Sequence, residues 1–418
     1  MKSDLLDKKK IVLLGFGVTG REIIKTLGGN YSLKIIDDNI SEQDRKRLAL
    51  DNFEIYNTNE FLSEKFPVDI VIKSPGINYE NKILIKYSNA LIINDIELSY
   101  LITKNTNIKI IAVTGTNGKT STTSFITAFL SNAGYKAFSC GNIGVSPLKI
   151  LRTEKKIDFL VMELSSFQLK AINQFKPNFA FFLNFTPDHL DYHLTLEDYY
   201  ESKMNVFKNM DEEDYLFVNK ELNVILNDKK VYTSNYEISQ ELFDAINGVY
   251  SENIRLVVQF ANVLGIDESV IIDTFKNKFR SLPHRMEFIS QKNGVNYIND
   301  SKATNLDATK VALEQFDHII LLVGGYDKDE DLSQIRKYLN KVDYMISYGS
   351  NRHQFDGIIK NYSCVETLDK AFEVANKVAL IGSTVLLSPC SASYDQFENY
   401  EHRGDYFREL VLKVWNIL

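Results

Sequence analysis

Cysteine is scarce. Cys140, Cys364 and Cys390 are the three in 418 residues, and no two of them stand as Cys-x-x-Cys. This scatter argues against a disulfide framework or a zinc site and fits a reducing cytosol. Long apolar runs are missing too: none approaches the roughly 18 residues needed to cross a bilayer. The opening Met-Lys-Ser-Asp-Leu-Leu-Asp-Lys-Lys-Lys lacks the apolar core of a secretory signal. No membrane partner and a cytoplasmic location are therefore expected. Positive charge is not in surplus either. With 48 Lys and Arg against 55 Asp and Glu the net charge is −7, which gives no electrostatic reason to expect nucleic acid or anionic lipid. Repeats of solenoid length and low-complexity tracts are absent.

What is present is an ordinary globular composition, with 44 % apolar and 25 % charged residues, in a chain long enough for two or three cores. Short β-branched runs at Ile11 to Gly15, Leu33 to Asp37, Asp69 to Lys73 and Leu91 to Asn94 alternate with helix-length segments, the rhythm of a parallel α/β sheet. Further strands are expected at Asp158 to Met162 and Phe179 to Asn184. The pattern weakens between 211 and 253, where Tyr215 to Asn219 reads as acidic, Asn-rich turns. Helical spacing returns at Ile254 to Leu264 and Ser269 to Phe279, and Ser281-Leu-Pro-His reads as a boundary. A third unit follows, with strands at Val295 to Asn299, His318 to Gly324, Tyr344 to Tyr348 and Thr384 to Ser388 and helices at Asn305 to Gln315 and Leu368 to Val378. Phe407, Leu410, Val411, Val414 and Leu418 form the core face of a last helix. The expectation is an α/β chain of three domains, each on a mainly parallel sheet: Rossmann-like over 1–98, P-loop over 99–283, Rossmann-like over 284–418.

Residues 108–125, Ile-Lys-Ile-Ile-Ala-Val-Thr-Gly-Thr-Asn-Gly-Lys-Thr-Ser-Thr-Thr-Ser-Phe, read as a buried strand, a glycine turn and a helix. This is the grammar of a phosphate cradle. Gly115 and Gly118 let backbone N–H groups and a helix N-terminus face an anion, Lys119 reaches terminal phosphates and the Thr120 hydroxyl holds Mg²⁺. Glu163, closing a strand, lies on the ligand side of the sheet, where it can share that Mg²⁺. Asn184-Phe-Thr-Pro-Asp-His-Leu-Asp-Tyr-His193 packs two histidines and two carboxylates after a strand. With no thiol near, a hard ion suits it better than zinc, and His189 is the expected ligand of a second Mg²⁺. His193 reads as exposed, with Thr186 or Asp188 capping a helix. Near the N-terminus Gly15-Phe-Gly-Val-Thr-Gly20, with Asp37 about 20 residues on, matches a dinucleotide fingerprint. An NAD-dependent oxidoreductase is therefore the rival reading, although such a turn binds any diphosphate and a second cradle lies downstream.

Gly-Thr-Asn-Gly-Lys-Thr after Ala112, Glu163-Leu-Ser-Ser-Phe-Gln, Leu282-Pro-His-Arg-Met-Glu and Asn299-Asp-Ser-Lys-Ala-Thr-Asn305 resemble, in this order, motifs of the Mur ligase family. These are the amide-forming ligases of bacterial cell-wall assembly, and the spelling at Glu163 is closest to members that add D-glutamate to UDP-N-acetylmuramoyl-L-alanine. The resemblance implies ATP bound by Gly115, Thr116, Asn117, Gly118, Lys119, Thr120, Ser121, Arg285 and Asp300. It implies UDP-substrate contacts at Gly17, Val18, Thr19, Asp37, Ser74, Pro75, Gly76, Asn142 and His189, and D-glutamate contacts at Lys302, Thr304, Lys328, Ser393 and Tyr400, the last standing where the family usually has Phe. Metal ligands would be Thr120, Glu163, His189 and Lys203, if Lys203 is carbamylated; by composition alone Lys203 is a solvated residue of a helix Leu196 to Lys208. Lys119, His189, Lys203 and Arg285 would be catalytic, with ATP and two Mg²⁺ as cofactors, the chain a monomer and its third unit closing when ATP binds. Where the family has His-Asn-x-x-Asn the chain has Tyr250-Ser-Glu-Asn-Ile254, and Asn253 substitutes by a shift of register. A sister or folylpolyglutamate-type ligase differs only in the acceptor pocket, and a non-catalytic nucleotide switch is the third alternative.

Overall fold

The computed structural model describes residues 6–28, 31–188, 192–193, 195–222, 230–246, 251–279, 283–326 and 332–413. Two compact units divide the chain at Phe279 and Arg280. The first unit holds two sheets. One comprises β1 (Ile11–Leu14), β2 (Leu33–Ile36), β3 (Glu54–Tyr56), β4 (Ile70–Lys73) and β5 (Leu91–Ile93), in the order β3-β2-β1-β4-β5. The other comprises β6 (Lys109–Thr114), β7 (Ala137–Gly141), β8 (Phe159–Glu163), β9 (Phe179–Phe182), β10 (Tyr215–Val218) and β11 (Lys230–Thr233), in the order β11-β10-β9-β6-β8-β7. Every pairing in these two sheets is parallel. Central strands such as β1, β4 and β8 are buried throughout because helices cover both faces, which is why they read as unbroken apolar runs.

In each sheet the strand order reverses beside one central strand, and the crevice there opens at the strands' carboxyl ends, where ligands of open α/β sheets bind. β1 lies between β2 and β4, so the turns after β1 and β4 flank the first crevice. β6 lies between β9 and β8, so the turn after β6, Glu163 at the end of β8 and Asn184 after β9 gather at the second. The helix Asp95–Thr103 ties the two sheets together. Asn94 caps it and also donates to the Gln168 carbonyl at 2.7 Å, while the buried Glu97 carboxylate accepts the N–H groups of Asn173, Gln174 and Phe175 at 2.8–2.9 Å. Removing that carboxylate leaves three donors unpaired, at about 1–3 kcal/mol for each that stays buried.

The second unit has one sheet: β12 (Glu287–Lys292), β13 (Val295–Asn299), β14 (Ile319–Gly324), β15 (Val342–Tyr348), β16 (Tyr362–Cys364) and β17 (Thr384–Leu387), in the order β12-β13-β17-β14-β15-β16. It is parallel except for the β12–β13 hairpin. Its last helix, Tyr400–Lys413, buries Phe407 and Val411; Val414 and Leu418 lie outside the described residues. Among the described residues no helix is long and apolar enough to cross a membrane.

Two expectations need correction. Tyr215–Val218 is a strand, not a turn: Leu216, Phe217 and Val218 are buried between β9 and β11, and Phe217 stacks on Phe181 at 4.7 Å. The acidic turn before it masked a run of four residues. The helix at Leu196 stops at Met204, followed by a 3₁₀ turn at Asn205–Phe207, and its cap is Thr195, whose side chain accepts the Asp198 N–H at 3.0 Å.

Candidate active site

Behind the Gly115–Gly118 turn stands Asn184, directly after β9. Its Oδ1 accepts the N–H groups of Thr116 (3.0 Å) and Asn117 (2.8 Å), and its Nδ2 donates to the Asn117 carbonyl at 3.0 Å. One amide thus mimics a short strand and fixes the turn's shape. Gly118 adopts φ +79° as the N-cap of the helix Lys119–Asn132, and a Cβ there would lie 2.6 Å from Asn253 Nδ2. Glycine is demanded twice, by conformation and by close approach. The same contact puts the Asn253 side chain beside the turn. Thr120 and Ser121 occupy the first turn of that helix, whose leading N–H groups have no intrahelical acceptor and point where an anion would sit. Lys119 folds back, donating from Nζ to the carbonyls of Gly115 (2.9 Å) and Thr116 (2.6 Å).

Two charged side chains are buried beside this turn. Glu163 pairs in register with Val113, and its Oε1 accepts the Asn142 amide at 2.7 Å. Its Oε2 is buried and has no hydrogen-bond partner. A hard oxygen held this way fits Mg²⁺, which would complete its coordination. Lys203 is 1 % exposed, against the expectation of a solvated helix residue; its Nζ donates to the Gly115 carbonyl at 2.8 Å and lies 4.4 Å from the centre of the Tyr199 ring. Burial, reinforced by Lys119 and opposed by Asp188, pulls its ammonium well below the usual lysine range. The family-implied Mg²⁺ ligand His189 lies outside the described residues. His193, expected at the surface, is buried: Nδ1 faces Asp198 Oδ2 at 3.1 Å, Nε2 faces Ser166 Oγ at 2.8 Å and the ring stacks on Phe167. Desolvation lowers its pKa.

The first crevice is built differently. Gly20 sits where a Cβ would be 2.3 Å from the Gly15 carbonyl oxygen, so the helix Val18–Leu27 starts tight against β1. Asp37, just past β2, accepts the Phe16 N–H at 2.6 Å and the Asn39 N–H at 2.7 Å. Ser74 Oγ donates to the Gly15 carbonyl at 3.2 Å. Gly17, Val18 and Gly76 are exposed around this turn, with Thr19 and Pro75 half-buried.

In the second unit Asp300 follows β13 and is nearly buried. Its oxygens accept the Met286 N–H (3.2 Å) and the Ser388 hydroxyl (2.9 Å), and burial raises its pKa to about 7. Arg285 stands between His284 (φ +63°) and Met286 (φ +43°), two non-glycine residues in the left-handed region, strain of a kind that collects at functional sites. The Lys302 ammonium lies 4.0 Å from the centre of the Tyr400 ring. The fully buried Arg403 ties the neighbouring segments together, from Nε to Ser301 Oγ (2.9 Å), Nη2 to the Ser301 carbonyl (2.8 Å) and Nη1 to the Ala392 carbonyl (3.2 Å). Lys302, Tyr400 and the buried Ser393 are thereby brought to one neighbourhood, with Thr304 two residues along from Lys302. Lys328 and Ser281–Leu282 lie outside the described residues. Sequence reasoning missed Asn184 as the clamp and Arg403 as the tie; Asn184 sat in a motif after a strand, whereas nothing in a helical Glu-His-Arg-Gly marks a buried arginine.

A P-loop turn, a buried carboxylate at the end of the adjacent strand and parallel sheets with ligand crevices define a nucleotide-phosphate-binding α/β protein. The chain matches the Mur ligase middle domain over residues 113–299 and the Mur ligase glutamate ligase domain over 284–390. It is 34 % identical to a UDP-N-acetylmuramoylalanine--D-glutamate ligase of Alkaliphilus oremlandii, over 98 % of this chain and 99 % of that protein. It is 32 % identical to the protein of the same name from Fusobacterium nucleatum, over 97 % and 100 %. In fold it is similar to a MurF ligase from Thermotoga maritima solved with ADP, at a TM-score of 0.63 and 17 % identity, over 99 % of this chain and 100 % of that one. The chain belongs to the Mur ligase family.

Proposed function

We propose that the chain is an ADP-forming ligase that joins D-glutamate to UDP-N-acetylmuramoyl-L-alanine in the cytoplasm, acting as a monomer in cell-wall precursor synthesis. The observation that carries this reading is the unpartnered buried Oε2 of Glu163 beside a glycine turn braced by Asn184, in a chain similar over its whole length to ligases of that name.

A carboxylate resists amine attack until one oxygen becomes a good leaving group. The L-alanyl carboxylate therefore attacks the γ-phosphorus of ATP, ADP leaves, and an acyl phosphate forms. The D-glutamate amine then attacks the acyl carbon, phosphate departs, and the amine gives up a proton as the amide forms. Mg²⁺, held by Thr120 and Glu163 at one site and by His189 and Lys203 at a second, would neutralise phosphoryl charge. Lys119 leaves its resting carbonyl partners to meet the terminal phosphates, and the helix N-terminus at 119–121 holds the anion. Arg285 supplies a planar donor fork to the phosphoryl group, and Asp300 takes the ribose. Gly17, Val18, Thr19, Asp37, Ser74, Pro75, Gly76 and Asn142 seat the UDP-sugar. Lys302, Thr304, Lys328, Ser393 and Tyr400 seat D-glutamate, whose two carboxylates need cations and hydroxyls.

Lys203 needs a charge opposite to its own to hold a cation. A buried lysine whose ammonium is disfavoured supplies the neutral amine that adds CO₂, releasing one proton and leaving an anionic carbamate. The test of the whole reading is phosphate release with ATP, Mg²⁺ and UDP-N-acetylmuramoyl-L-alanine across a panel of D- and L-amino acids. D-glutamate alone should stimulate it. A different amino acid would reassign the acceptor, and ATP binding without stimulated release would make the chain a nucleotide-binding module.

A further inference from the structure

The scatter of cysteines in sequence speaks against a thiolate metal site, yet the fold of the second unit assembles one. His353 lies on the 3₁₀ turn Arg352–Phe355, Asp356 directly follows that turn, and Cys364 ends the edge strand β16. His353 Nδ1 is 3.2 Å from Asp356 Oδ2 and 3.8 Å from Cys364 Sγ, and one donor atom from each of the three residues lies within 4.8 Å of the others. A tetrahedral Zn²⁺ with bonds of about 2.0 Å to N and O and about 2.3 Å to S separates its ligand atoms by about 3.3 Å (N to O) and about 3.5 Å (N or O to S). The two separations from His353 Nδ1 are already near those edges, and the third lies within 4.8 Å. We propose that His353, Asp356 and Cys364 form a surface Zn²⁺ site with its fourth position open to water.

Three features distinguish this group from a chance surface pair. The donors are chemically mixed, and imidazole with thiolate and one carboxylate favours Zn²⁺ over the Mg²⁺ or Ca²⁺ that all-oxygen sites take. The carboxylate is aimed from behind: the Tyr362 hydroxyl donates to Asp356 Oδ1 at 2.7 Å and is itself paired with Ser347 Oγ at 2.6 Å, so Oδ2 is the oxygen left toward His353. Outer partners of this kind set ligand direction in metal sites. The supports are rigid as well. Phe355 is fully buried in the unit's core, and Cys364 pairs in register with the buried Ser347 of β15. Cys364 is a free, exposed thiol, while Cys140 and Cys390 are buried, so metal and solvent have direct access to this sulfur alone. Binding would convert the thiol to a thiolate, releasing one proton for each ion bound at neutral pH.

The experiment is a Co²⁺ titration of the metal-stripped full-length chain under a phosphine reductant, read by thiolate-to-cobalt charge-transfer absorption. One equivalent should bring up the band, Zn²⁺ should abolish it by displacement, and a large excess of Mg²⁺ should not. Cys364→Ser should lose the band, and His353→Ala should weaken binding about 10-fold or more. Zn²⁺ should also shield Cys364 from alkylation, read by peptide mass on the unmutated chain, so the result does not hang on how the variants fold. No band in the unmutated chain, an equal band in Cys364→Ser, or alkylation of Cys364 indifferent to Zn²⁺ would each overturn the site.

Discussion

Two turns of the first unit share one grammar, apolar strand, glycines, helix, and each has a buried lysine close by. After β1 the neighbouring lysine is Lys73, whose Nζ donates to the Pro75 carbonyl at 3.3 Å and lies 5.2 Å from the Tyr79 ring centre. After β6 it is Lys203, bonded at 2.8 Å to the first glycine of the turn itself. The carboxylates differ in the same sense. Asp37 already accepts two backbone N–H groups with its two oxygens, whereas Glu163 keeps one buried oxygen unused. The carboxylate at the first turn is therefore already committed to the fold, and under the proposed function this turn only seats the diphosphate. The second keeps an uncommitted carboxylate oxygen, which under the proposed function serves chemistry on a phosphoryl group. Glycine spelling does not separate a turn that seats a ligand from one that transfers a group, and neither does a buried lysine, which both have; under the proposed function the uncommitted carboxylate oxygen does.

The strongest way to break this comparison is Lys203→Ala. Ligase turnover should fall about 10³-fold, UDP-sugar affinity should stay within about 3-fold, and short carboxylic acids should restore part of the rate by standing in for the carbamate. Loss of activity that no small acid restores would remove the carbamate from the account. Glu163→Gln comes next. It keeps the shape and one carbonyl acceptor for Asn142 but lowers the charge, so turnover should drop about 10²-fold, with a rise in the Mg²⁺ concentration needed for half-maximal rate. A drop with an unchanged Mg²⁺ requirement would mean that Oε2 serves something other than the ion.

Lys73→Met probes the quiet turn. Burial, with Lys170 near, lowers the Lys73 ammonium from 10.5 to about 8. Below pH 8 both folded and unfolded chains hold the proton, and the full penalty of the buried charge stands. Between pH 8 and 10.5 the unfolded chain binds more protons than the folded one, so this group's contribution makes stability rise with pH. The methionine variant should gain at most about 3 kcal/mol over the unmutated chain at pH 7, and the gap should close toward pH 10. Denaturant unfolding at both pH values measures it. A gap that stays constant with pH would mean that Lys73 is not carrying a desolvated charge.

How much of this was readable beforehand follows from the range of the forces involved. β1, β4, β14 and β17 announced themselves because a strand covered on both faces must be apolar throughout. The cradle was readable because its glycines, lysine and threonine act through backbone geometry that five or six residues specify alone. β10 was hidden by the acidic turn before it, and β16 by its length of three residues. Burial of Lys203 and His193 could not be read from their neighbours in sequence. Tyr199 is a neighbour of Lys203 one helical turn away, but its other partner Gly115, like the Ser166 and Phe167 that enclose His193, is brought by the tertiary fold from far along the chain. Asn184 is intermediate: its place after a strand was visible, its grip on Thr116 and Asn117 was not.

The smallest expected effect is also the sharpest test of the contrast, and it lies at Asp37. In Asp37→Asn one side-chain oxygen remains and the other becomes an NH₂ group, so either the Phe16 N–H or the Asn39 N–H faces a donor in place of an acceptor. Losing one charge-assisted bond at a half-exposed site costs about 1–2 kcal/mol. Because the Phe16 N–H belongs to the turn itself, part of that loss should appear as weaker UDP-sugar binding, a rise in KM of about 10-fold by this arithmetic. The turn holds substrate and intermediate alike in this account, so kcat at saturating substrate should not move. A fall in kcat with KM unchanged would show that the first turn tightens only as the phosphoryl group transfers, and the division between a seating turn and a reacting turn would then fail.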